Sequence, residues 1–192
     1  MKLIAPVAAL LWAVPALALA GTWNIDPAHT HTSFTVRHLV ISNVRGEFRK
    51  TSGVITLDDG DIAKSRVEAT IEVASLDTRE PKRDEDVRSA AFLDAAKYPT
   101  LTFRSTKVEK AGDKLKVTGD LTLHGVTKPV TLDVAVTPAI KDPWGNQRRG
   151  FSASGKVNRK EFGVAWSKMV EAGPVVGDEV TIEIEAEAVQ AK

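Results

Sequence analysis

The sequence predicts an all-β fold, and three observations carry that prediction. From Gly21 onward apolar residues fall on alternate positions over most of the chain, as half-buried strands require. Helical periodicity is far rarer. Clusters of Gly, Asp, Asn and Pro separate the alternating segments, and such short links join antiparallel neighbours.

Taken in order, the chain opens with what reads as an export leader over residues 1–20. Lys2 is its charged start, Leu3 to Leu17 its apolar run, and Ala18-Leu19-Ala20 its small-residue cleavage site. Cleavage after Ala20 makes Gly21 the mature N-terminus. A membrane anchor is the competing reading, but a span needs about 20 apolar residues, and this stretch carries Pro6 and Pro15. No Cys follows the cleavage site, which excludes a lipid-modified N-terminal cysteine.

The strands then follow one another. Their apolar faces are Phe34/Val36/His38, Ile55/Leu57, Val67/Ala69/Ile71/Val73, Leu101/Phe103 and Leu115/Val117/Gly119/Leu121/Leu123. Val130/Leu132/Val134/Val136, Phe151/Ala153/Gly155/Val157 and Val180/Ile182/Ile184/Ala186 complete the series. The last set is the clearest, because Glu179, Thr181, Glu183, Glu185 and Glu187 alternate with it on the opposite face. Turns are expected at Asp58-Asp59-Gly60-Asp61, Lys110-Ala111-Gly112-Asp113, His124-Gly125 and Pro143-Trp144-Gly145-Asn146.

One interruption breaks the rhythm between Arg79 and Tyr98, where charged residues give way to the helix-forming run Ala90 to Ala96; a short helix is expected there. A briefer irregular stretch, Asn158 to Gly163, has room for one helical turn. Eight or more strands sharing one apolar face cannot remain an open flat sheet in water. They close into a barrel or fold into a sandwich, and periodicity alone does not choose between these. No repeat, linker or composition shift marks a second domain, so residues 21–192 read as one domain of ordinary size.

Composition narrows the function. Without Lys2 the basic and acidic residues balance, so no net charge recommends a nucleic-acid partner. The absence of cysteine rules out disulfides, thiolate metal sites and cysteine redox chemistry. His29 and His31 have a spacing that puts both rings on one face of a strand, but no third ligand can be named, so no metal site is assigned. No Gly-x-Ser-x-Gly turn, phosphate loop or calcium loop is present. With no acid, base and nucleophile assembled around the four histidines, an enzyme is not expected and no catalytic residue is nominated. Trp23, Trp144 and Trp166 are read as core first and cavity lining second.

Several segments together resemble the YceI-like family of exported, lipocalin-like proteins. They are Trp23-x-Ile25-Asp26-x-x-His29, Phe34-x-Val36-Arg37-His38-Leu39, Val44-x-Gly46-x-Phe48, and Arg83-Asp84-x-x-Val87-Arg88-Ser89-x-x-Phe92. Tyr98-Pro99-x-x-Thr102-Phe103, the run from Gly119 to Val130, and Arg159-x-x-Phe162-Gly163 continue the match in order across nearly the whole mature chain. Three positions depart from the family's pattern: Asp86 stands where His is expected, Ala91 where Asp is usual, and Leu93 where Phe is usual.

The resemblance implies an eight-stranded antiparallel barrel of extended lipocalin type, with a short helix packed against it and an apolar tunnel for an isoprenoid chain or similar amphiphile. It implies a periplasmic protein that transports or stores this lipid. No cofactor is required, though a polyisoprenoid or isoprenoid quinone is the bound group to look for. On such a barrel the tunnel lining is assigned to Phe34, Val36, Ile71, Phe92, Phe103, Leu121, Leu132, Phe151, Phe162, Trp166 and Ile182. Arg37, His38, Arg83 and Arg88 are assigned to the mouth, where a head group would lie; their alternative role is hydrogen bonding between helix and barrel. A membrane or membrane-protein delivery partner and a homodimer remain open. The competing function is a solid-core interaction module that responds to stress without a ligand.

Overall fold

The computed structural model describes residues 20–192, and the leader expected over residues 1–20 lies outside them but for Ala20. In chain order the strands and helix are β1 (Gly21–His38), β2 (Ser42–Phe48), β3 (Thr51–Leu57), β4 (Arg66–Glu72), β5 (Leu76–Asp77), α1 (Pro81–Arg88) and β6 (Thr100–Ala111). They continue with β7 (Lys114–Leu123), β8 (Val126–Val136), β9 (Ile140–Lys141), β10 (Gln147–Asn158), β11 (Met169–Val170), β12 (Gly173–Pro174) and β13 (Val176–Gln190). Eight of them, β1, β3, β4, β6, β7, β8, β10 and β13, pair antiparallel in that order, and β13 returns onto β1. The sheet is therefore a closed barrel, which leaves no free edge among these strands.

Alternation sets which side chains point inward. The inward sets read from the sequence face the barrel interior along the strands, save Val73, which lies just past β4 in a 3₁₀ turn and is buried without bordering the cavity; one local adjustment is made on β6. On β6 the register slips between Ser105 and Lys107 where it pairs with β7. The extra residue is a β-bulge, and it moves the inward face from Leu101, Phe103 and Ser105 to Val108.

β1 is long enough to serve two neighbours along one edge. Its start, Gly21 to Asn24, pairs with β3, while Thr32 to His38 pairs with β2 and carries the β1–β2 hairpin to one end of the barrel. Where the partner changes, the buried Thr32 and Thr51 hydroxyls share a 2.8 Å hydrogen bond. Buried hydroxyls need such a partner.

The short helix lies earlier than the alanine-rich run suggested. α1 covers the charged segment Pro81–Arg88, and residues 89–97 form a chain of turns. Helix propensity is a weak preference, and the termini decide here. Pro81 stands at the first turn, where its missing N–H costs nothing, and the Glu80 side chain accepts from Lys82 N. At the other end Ser89 turns extended, and its Oγ donates to the Asp86 carbonyl. The expected turn at 158–163 is a 3₁₀ turn, Arg159–Phe162, closed by Gly163 in the left-handed region.

The two ends of the barrel differ. At the end holding Gly21 and Leu57, the buried side chains of Trp23, Ile55, Leu57, Phe151 and Ala188 pack together and close the interior. Arg149 lies over the Trp23 ring and makes two hydrogen bonds to Asp59, at 2.9 and 2.7 Å. Trp144, read as core or lining, belongs to neither: it is 80% exposed on the turn before β10. The turn uses it as a backbone donor to the Asp142 carboxylate and not as an apolar ring.

Candidate functional site

Inside the barrel runs a cavity of about 610 Å³, lined almost wholly by the inward sets of the eight strands. That volume is typical of a small-molecule site. Inward side chains such as Val180, Ile182 and Ile184 remain half-buried because the lumen, not a facing side chain, lies opposite them. Small residues create this space. Ala69 and Ala153 line it, and Gly119 and Gly155 lie under the Phe103 ring and the Leu132 side chain.

Of the eleven residues assigned to a tunnel lining, Phe34, Val36, Ile71, Phe92, Phe103, Leu121, Leu132, Phe151, Trp166 and Ile182 border this cavity. Phe162 is not among the bordering residues. Its ring is among the most buried in the molecule, but it sits in the 3₁₀ turn after β10, where strand alternation no longer governs direction. The ring is buried without bordering the lumen.

Of the four residues assigned to a mouth, Arg37, His38 and Arg83 border the cavity. Arg83 is fixed there, donating from Nε to Thr78 Oγ1 at 2.9 Å and from Nη2 to the Thr78 carbonyl at 2.8 Å. Thr78 in turn donates its N–H and hydroxyl to the buried Asp84 carboxylate, at 2.7 and 2.6 Å. Arg88 is not at the cavity. Its guanidinium bonds the carbonyls of Ala74 and Leu76 and ties the end of α1 to the barrel, which is the helix-to-barrel role. Asp86, Ala91 and Leu93 also border the cavity.

Sequence reasoning missed two parts of the wall. The first is hydroxyl-bearing: Thr30, Thr32, Thr51 and Ser65 line the lumen. Thr30 and Thr32 continue the alternation of Phe34, Val36 and His38, so their position was readable had polar residues been allowed on the inner face. The second is Arg159, buried at the rim. It donates to the carbonyls of Gly177, Val164, Trp166 and Val176 and to the Asp178 carboxylate. Burial pulls its guanidinium pKa down, and Asp178 opposes this. The segment so held carries Trp166, whose ring meets Phe92 at 4.9 Å across the mouth.

The histidines have plainer tasks. The His124 ring meets Tyr98 edge-on at 4.7 Å. His29 Nδ1 lies 2.9 Å from the Asp26 carboxylate, and Asp26, His29 and Glu187 stand close enough to share a cation. A side-chain cation already serves two of them: Arg148 Nη1 lies 2.7 Å from Asp26 and 3.1 Å from Glu187. Arg148 Nε also donates to Asp142 at 3.0 Å. Hydrogen bonds from Arg148 and then His29 hold the Asp26 carboxyl at about 2. At Asp142 burial pushes the other way, and bonds from Asn146, Arg148 and two backbone N–H groups outweigh it, leaving that carboxyl also at about 2.

The family model for the YceI-like domain matches residues 23–188. Protein YceI of Escherichia coli O157:H7 is 43% identical over 177 residues, covering 91% of this chain and 90% of that one. Among solved structures, Burkholderia cenocepacia BcnA superposes with a TM-score of 0.76 at 27% identity, over 85% of this chain and 98% of BcnA. The Campylobacter jejuni YCEI protein gives 0.69 at 34% identity, over 81% and 90%. A polyisoprenoid binding domain from Saccharophagus degradans, implicated in plant cell wall breakdown, shares the fold at 0.62 and 15% identity, over 88% and 98%. An eight-stranded barrel, a domain match over nearly all of the described chain and this identity to Protein YceI lead to one conclusion: the chain belongs to the YceI-like family.

Proposed function

We propose that this protein binds an amphiphile with an isoprenoid tail, of the prenyl quinone or prenyl phosphate class, and carries or stores it in the periplasm after export and removal of residues 1–20. The observation that carries the reading is the long apolar lumen, about 610 Å³ in volume and walled by Val, Leu, Ile and Phe. A solid-core module would have no use for it. The name of the Saccharophagus domain adds support, since a barrel of the same fold is described there as polyisoprenoid binding.

Burying hydrocarbon is worth about 0.8 kcal/mol per CH₂, so each prenyl unit offers roughly 3–4 kcal/mol before ordering costs. The tail supplies most of the favourable free energy, and Arg37, His38 and Arg83 at the mouth orient the head group. Binding rather than turnover is the proposed role, with no cofactor needed. Delivery to a membrane or a membrane protein, and pairing of two barrels, would follow binding.

Native mass spectrometry of the mature protein from its own periplasm tests this. The expected result is a bound mass fitting an isoprenoid lipid. Recovery of ligand-free protein alone, which also fails to take up prenyl lipids, would overturn it.

A further inference from the structure

Two hairpin tips stand side by side at the end of the barrel that holds the mouth. One is the turn Leu39 to Ile41 between β1 and β2, the other the β11–β12 hairpin. Leu39 N donates to the Val175 carbonyl at 2.9 Å, and a Cβ on Gly173 would come within 3.0 Å of Val40 Cγ2. Four of the large apolar side chains most exposed among the described residues fall on these tips: Val40 at 45%, Ile41 at 74%, Met169 at 73% and Val170 at 43%. None of the four borders the lumen, whereas their neighbours Arg37, His38, Val175 and Val176 do. The tips therefore present apolar groups outward around the same opening that the lumen presents inward.

The first tip is held in a costly shape. Leu39 and the β-branched Val40 both have left-handed backbones, with φ of 50° and 64°, a conformation that such residues avoid. Arg37 holds it, donating from Nε and Nη2 to the Val40 carbonyl at 3.0 and 2.8 Å and from Nη1 to Asn43 at 3.2 Å. Arg37 and Lys168 place a basic residue at the base of each tip, and Glu171 is the one acid between Lys168 and Pro174.

We propose that the two tips form a docking surface for an anionic phospholipid bilayer, which seats the tunnel mouth on the membrane. The inference rests on the reading of the lumen as a lipid site. Four apolar side chains on two protruding turns offer much less than the roughly 800 Å² that each partner contributes to a stable protein interface. Apolar groups beside basic ones instead match the headgroup boundary of a bilayer, where shallow insertion and attraction to anionic lipid act together. A bilayer is also where an isoprenoid amphiphile is dissolved.

The test is co-sedimentation of the mature full chain with phosphatidylethanolamine vesicles, with and without phosphatidylglycerol. The comparison is an Ile41→Glu/Met169→Glu double variant. Uptake of a fluorescent farnesyl probe, dispersed in buffer without vesicles, is measured in parallel. The expected result is partition of the unaltered protein that strengthens with phosphatidylglycerol and falls by at least about tenfold in the variant, the factor expected for losing a side-chain insertion. Equal partition of the two proteins overturns the proposal. So does absence of binding to protein-free vesicles, including the case in which the tips act only when a membrane protein is present. Probe uptake reports on the lumen alone: its failure in both proteins counts against the lipid site whatever the vesicles show.

Discussion

Arg159 Nη1 donates to the carbonyl of Trp166 at 2.8 Å, so the residue that anchors the rim segment inside the protein is bonded directly to the residue that crosses the mouth. Four carbonyls and one carboxylate depend on this guanidinium. Arg159→Gln, which leaves most of them unpaired, should cost about 2–4 kcal/mol in denaturant unfolding. Amide hydrogen exchange should accelerate over residues 164–177 before it does in the barrel strands. A uniform rise in exchange throughout the barrel would contradict an anchoring role.

Ala153 faces the lumen on β10. Ala153→Phe puts a ring into open space, where it meets little of the resistance of a packed core, and the melting temperature should move by less than about 5 °C. Uptake of a prenyl probe should fall more than tenfold. A variant that binds as before would mean that the ligand does not reach the middle of the barrel.

Gly119 is required by close approach. A Cβ there would lie 2.5 Å from the Arg104 carbonyl oxygen and 2.5 Å from Phe103 Cζ. Backbone cannot yield cheaply, so Gly119→Ala should destabilise by about 2–3 kcal/mol. The shift is measurable as a lower denaturant midpoint with an unchanged slope.

Acid should weaken the Arg148 cluster. Asp26 and Asp142 are held at about 2 in the folded protein, below their ordinary value of 3.8. Folding therefore favours the ionised carboxylates. Their contribution is complete above the unfolded value and is lost as pH falls from about 5 towards 2. Arg148→Met should flatten that part of the stability profile and lower stability at neutral pH, because it removes the guanidinium that Asp26, Asp142 and Glu187 share. An unchanged acid limb, measured by urea unfolding across this range, would count against the cluster.

The strand faces were legible because burial imposes one rule, alternation, on every residue of a strand. Leu115 to Leu123 and Val180 to Ala186 obey it without exception. The rule stops where pairing does. Phe162 lies one turn past β10 and points into core, and the β6 bulge shifts Val108 onto a face that simple counting would deny it. α1 falls inside the expected interval Arg79 to Tyr98 but on its charged half, because alanine-rich composition carries less weight than Pro81 and the ending at Ser89. Arg159 stood in a quoted motif without a role, since five acceptors drawn from residues 164–178 converge on it only after the chain has turned back. Whether the inner side chains meet across the axis depends on barrel radius, which no local pattern encodes.

The packed end around Trp23, Phe151 and Ala188 makes the lumen a cul-de-sac. A passage open at both ends would let an arriving molecule displace its predecessor. Here an occupant of the proposed kind would have to back out by the route it entered before another could follow. Exchange should then proceed at the rate of departure, indifferent to how much replacement is waiting outside. Under the proposed function, a tail that enters first would also be the last part to leave, and an acceptor would meet the head group while the chain is still sheltered.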